Sequence, residues 1–94
     1  NKTMKKFAND QTVLVPSIKK SGNANGLIQI VNSNGTAVYL FGSLNGTDFA
    51  LIESFNSDVI KEIQLCPFMK IAGNSAGNSN ASSDNDVYLF EYNA

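Results

Sequence analysis

The chain has 94 residues, enough for one domain, with seven Lys, no Arg, eight acidic residues and a net charge of −1. It therefore lacks the clustered basic surplus of a nucleic-acid binder, and no apolar run is long enough to cross a membrane as a helix. The absence of His removes the commonest general base and every His-dependent triad, and a single cysteine, Cys66, excludes an intrachain disulfide.

Residues 1–10 read as a polar N-terminal arm, with Met4 and Phe7 set among Lys2, Lys5 and Lys6. They lack the apolar stretch of a signal peptide, and with the lone cysteine this points to synthesis in a reducing cytosol. The remainder, 11–94, reads as one β domain. Thirteen Asn, ten Ser and seven Gly gather between short apolar runs, where Asn and Gly suit turns. The runs are TVLVP (12–16), GLIQIVN (26–32), TAVYLFGS (36–43), DFALIESF (48–55), VIKEIQL (59–65), FMKIAG (68–73) and DVYLFEY (86–92).

Their spacing of roughly 8–12 residues, with Val, Ile, Phe and Tyr in alternation, predicts an all-β protein. The expected fold is an antiparallel β-sandwich, Ig-like or jelly-roll-like, of seven or eight strands. The stretch 57–65 fits a helix about as well as a strand by periodicity. Its β-branched content and Pro67 favour strand.

Two Asn-Gly pairs, Asn34-Gly35 and Asn45-Gly46, stand between apolar runs. Asn-Gly is the strongest short hairpin signal, because a type I′ turn needs positive φ at both central residues. A meander is expected, with 27–32 pairing with 36–43 and 38–43 with 48–54. Gly42 marks a bulge or a close backbone approach, and Phe49 is expected to fold back into the core. Residues 73–86 form a long Gly/Asn/Ser loop, expected to touch solvent or a neighbour or to be poorly ordered.

No pair of acidic residues stands out as an acid/base couple, and Asp84-Asn85-Asp86 lacks the frame of a calcium loop. No catalytic residue, metal or cofactor is expected. Tyr88, Phe90 and Tyr92 alternate with Leu89 and Glu91, which puts the three rings on one face of the last strand. Such a row serves core packing or a subunit interface; an exposed sugar platform is the other use. With Met4 and Phe7 these rings make the candidate interface.

The run VYLFGSLNGTDFALIESF followed by IQLCPFMKIAG, within 38–73, resembles a pattern found in small β-sandwich virion proteins of tailed bacteriophages. There a strand ends in GSxDG or GSxNG, an aromatic follows shortly, and a later strand enters through a Cys-Pro-aromatic step. The matching residues are Gly42, Ser43, Asn45, Gly46 and Phe49, then Cys66, Pro67, Phe68, Lys70, Ile71 and Gly73. The resemblance implies a non-enzymatic capsid decoration or cement protein, or one associated with tail or fibre. It further implies contact with the major capsid protein or other virion proteins, and a homo-oligomer, a trimer being favoured. It would be located in the virion after synthesis in the host cytoplasm. Similar hairpins occur in carbohydrate-binding sandwiches, so a host-adhesion module is the alternative.

Overall fold

The computed structural model describes residues 2–7, 13–15, 25–32, 37–78 and 85–92. Within them lie seven strands, six from the alternating runs at 26–92 and the first from the segment read as an arm: β1 Lys2–Phe7, β2 Asn25–Asn32, β3 Val38–Ser43, β4 Ala50–Phe55, β5 Val59–Gln64, β6 Phe68–Ala72 and β7 Asn85–Tyr92. Within 57–65, which fitted helix and strand alike, Val59–Gln64 are strand. β-Branched side chains fit a pleated surface better than a helical turn.

The strands form two antiparallel sheets, in the orders β1-β7-β2-β5 and β4-β3-β6. Between them lies a core of Phe7, Ile28, Ile30, Val38, Leu40, Phe55, Ile63, Leu65, Met69, Ile71, Val87 and Leu89. Period-two alternation sorts these residues. In β2, Ile28 and Ile30 point inward while Leu27 and Gln29 face out. In β7, Val87, Leu89 and the buried Glu91 form the inward row. In β3 both faces are apolar. Val38 and Leu40 enter the core, whereas Phe41 is buried outside it, against Gly77 of the turn that follows β6.

The expected meander is half right. β3 pairs with β4, but β2 does not pair with β3. The two lie in different sheets, and β2 sits between β7 and β5. Residues 33–36, which hold Asn34-Gly35, lie outside the described residues. Of the run at 12–16, the described residues 13–15 contribute one bridge, Leu14 to Met69, with backbone hydrogen bonds of 2.7 and 2.9 Å. Residues 2–7, expected as an arm, form β1 along this chain's own β7, with Phe7 only 1% exposed. An edge strand whose sequence, KTMKKF, mixes Lys with Met and Phe lacks the continuous apolar signal of a central strand.

With the Leu14 segment counted in chain order between β1 and β2, the pairings nest. The first strand pairs with the last (β1–β7), the second with the second last (Leu14–Met69), then β2 with β5 and β3 with β4. This is a long hairpin rolled into two sheets, the jelly-roll arrangement. Of the two expected sandwich types, the strand order therefore selects this one. The expected loop at 73–86 gives way to β7 at Asn85. Residues 73–78 fold back so that the Gly77 carbonyl accepts a hydrogen bond from Lys70 Nζ at 3.2 Å. Residues 79–84 lie outside the described residues.

Candidate functional site

Two regions gather the residues singled out above. The first is the corner where β3 turns into β4. Ser43 ends β3 almost fully buried. Its Oγ accepts from the backbone N–H of Gly46 at 2.9 Å and of Asn45 at 3.3 Å, and donates to Asn45 Oδ1 at 3.0 Å. Asn45 Oδ1 also accepts from the N–H groups of Thr47 (2.8 Å) and Asp48 (2.9 Å), while its Nδ2 donates to Asp48 Oδ2 (3.0 Å). Two side chains thus satisfy three consecutive backbone N–H groups and a fourth at Asn45 itself, the behaviour of linked Ser and Asx turns. Strand pairing stops at Gly42–Ala50, so the connection is the loop 44–49. The two-residue type I′ turn read from Asn45-Gly46 is therefore not what forms. Gly46 does take a positive φ of 80°.

The two halves of the 38–73 signature meet here, residue against residue. A Cβ on Gly42 would lie 2.6 Å from Cys66 Sγ, so the bare glycine makes room for the cysteine. A Cβ on Gly46 would lie 3.1–3.2 Å from the Phe68 ring, which packs under the loop. The Lys70 ammonium lies 4.8 Å from the centre of the Phe49 ring and 5.6 Å from that of Phe41, within cation–π range. Phe49 is therefore half-buried on the outer side of the three-stranded sheet and is no part of the core, contrary to expectation. Gly42 marks a close approach, as expected. The bulge lies one step earlier in the β3–β4 register, between Leu40 and Phe41.

A cleft of about 260 Å³ opens at this corner, bordered by Ser43, Asn45, Asp48 and Cys66. Its polar groups are engaged in the loop's own hydrogen bonds. Burial raises the pKa of the Cys66 thiol, which favours the unreactive protonated form. Among the described residues no group of three His, Cys, Asp or Glu side chains is placed to hold a metal ion. The corner's chemistry is that of a loop held rigid, with Leu44 presented at its tip, 81% exposed.

The second region is the outer face of the four-stranded sheet. The register aligns Lys6, Tyr88, Gln29 and Ile60 in one row across β1, β7, β2 and β5, and Met4, Phe90, Leu27 and Glu62 in the next. Met4 and Ile60 are 67% and 64% exposed, and with Leu27, Tyr88 and Phe90 they line one shallow apolar groove. Lys6 Nζ, at the rim, lies 2.9 Å from Asp86 Oδ1 and 5.7 Å from the Tyr88 ring centre. The hydrogen bond to Asp86 and the Asp86 charge raise the Lys6 pKa.

Three of the five expected interface residues, Met4, Tyr88 and Phe90, are therefore brought together. Phe7 is not, since three residues from Met4 on a strand is the opposite face, and it fills the core. For Tyr92 the structure describes only the backbone, opposite Lys2 at the end of β7; its side chain lies outside the described residues. Leu27 and Ile60 were missed. Each stands in an alternating run, but only the pairing of distant strands sets them beside Met4 and Phe90. Comparison with protein-family models, with curated proteins and with solved structures finds no match.

Proposed function

We propose that this chain is a non-enzymatic structural protein of a tailed-phage virion, assembling as a homo-oligomer and binding the capsid surface as a decoration or cement protein. The observation that carries the reading is the outer face of the four-stranded sheet. Five apolar side chains stand there in two register rows, with charges confined to the rim. A small chain that leaves such a strip on its surface is built to cover it with protein.

Two further observations support the reading. The residues that resemble phage virion proteins interlock at one corner, so the signature acts as a folding unit whose product is a rigid loop. The jelly roll is a fold of viral capsid and lectin domains, an analogy that suits the proposal without choosing between those uses.

Quantitative mass spectrometry of purified particles from the source tests the proposal. Copies commensurate with the major capsid protein are expected. Tens of copies or fewer would move the protein to the tail, fibre or a vertex, and absence from particles would overturn the virion reading. A carbohydrate-binding role draws on one observation, Tyr88 and Phe90 beside the exposed Gln29. A glycan array would then be the test, with loss of signal on Tyr88→Ala required.

A further inference from the structure

We infer that the outer face of the four-stranded sheet is closed by a second copy of this chain, packed face to face about a two-fold axis that runs along the strands between β7 and β2. The inference deepens the assembly part of the proposed function by naming the face and the occupant. It does not depend on the protein being found in a virion.

The face is complementary to itself. An isologous contact requires one patch to satisfy its own copy. Rotation about an axis between the two central strands lays β7 of each copy over β2 of the other, and the β1 edge over the β5 edge. Tyr88, a half-buried ring with a polar tip, then faces the amide of Gln29. Phe90 faces Leu27, apolar on apolar. At the rim, Lys6 on β1 arrives over the partner's Ile60, with the partner's Glu62 one row away, and Met4 arrives over that Glu62 with its flexible side chain. The one-row offset is about 7 Å along a strand, within reach of a lysine side chain.

The arrangement pairs opposite charges twice, once at each edge, and leaves the apolar groove between them. A basic or acidic partner would face a rim carrying both signs, Lys6 beside Asp86 and Glu62 across from them, and would gain nothing from it. Two sheets stacked in this way follow the aligned packing of sheet on sheet. In this assembly the loop corner with Leu44 stays outside the dimer contact and free to meet a larger surface.

Sedimentation velocity on the full chain, over a concentration series, tests the inference. A dimer is expected. Ile60→Lys alters an exposed edge-strand position and sets its charge against Lys6 of the other copy, so it should leave the fold intact by circular dichroism while weakening the dimer by about tenfold or more. Glu62→Lys should weaken it by about fivefold, and Ile60→Glu, which sets a carboxylate against the partner's Lys6, should dimerise about fivefold or more better than Ile60→Lys.

A monomer at every concentration, a trimer, or a dimer indifferent to Ile60→Lys would each overturn the inference. Equal weakening by Ile60→Lys and Ile60→Glu would overturn the stated axis. Each of these outcomes leaves the copy number in particles to judge the virion reading on its own.

Discussion

At position 42 a methyl group would sit 2.6 Å from Cys66 Sγ and 2.9 Å from Ile52 Cδ1, closer than real Cβ atoms come. Something must move, and the neighbours are a half-buried thiol and the end of one flexible side chain. Gly42→Ala is expected to cost about 1–3 kcal/mol by overpacking, read as a lower urea midpoint at unchanged slope. Adding Cys66→Ala should return a good part of the loss, as a double-mutant cycle measures, because the sulfur is the nearest obstacle. Equal costs with and without the cysteine would show that the contact does not matter. That a glycine at this position serves a close approach was legible in the sequence. The identity of the side chain approaching it, 24 residues further along, was not.

Among the elements, β3–β4 is the one nested pair joined by a short described loop, and Ser43 and Asn45 organise it. Every other nested pairing closes a longer stretch of chain, at a larger entropic cost. The hairpin is therefore the place for folding to begin. Ser43→Ala removes an acceptor for two N–H groups and leaves the Gly46 donor in need of water. It should destabilise the protein by about 1–2 kcal/mol. Most of that loss should appear in the folding arm of a chevron plot, not the unfolding arm. If the variant only unfolded faster, the hairpin would form late and the idea would fail. The outward row of β7 belongs to the same scale. Tyr88 and Phe90 share a face by alternation alone, but both faces of this strand are apolar in the sequence, so alternation could not say which faces out.

For the whole molecule, the pairing of the first strand with the last closes the roll. Phe7 enters the core from β1 and faces Val87 across the pair. Phe7→Ala should cost about 3–5 kcal/mol, the range for emptying a buried ring position. Deleting residues 1–7 should lower the thermal midpoint sharply as well as any assembly. A truncated chain that melted like the full one while failing to assemble would restore the view of this segment as an arm for a neighbour. The inner and outer sheet faces divide the work. The inner rows hold the sandwich together, and the two outer rows of the four-stranded sheet leave Met4 and Ile60 exposed.

The all-β class, the place of most strands and the β3–β4 hairpin are written in the sequence. These follow from side-chain alternation and from Asn and Gly chemistry, which act over a few residues. The sequence also placed Ser43, Asn45 and Gly46 in one turn, though not the hydrogen bonds that make the turn a loop. Tertiary structure alone decided that β2 and β3 part to different sheets, that Lys2–Phe7 is a strand, and that Cys66, Phe68 and Lys70 lock onto Gly42, Gly46 and Phe49. It also decided that Met4, Leu27, Ile60, Tyr88 and Phe90 share a surface. The physical reason is common to all of these. Each depends on which distant strands become neighbours, a choice made by burying one apolar face of every strand at once, and no local pattern encodes it.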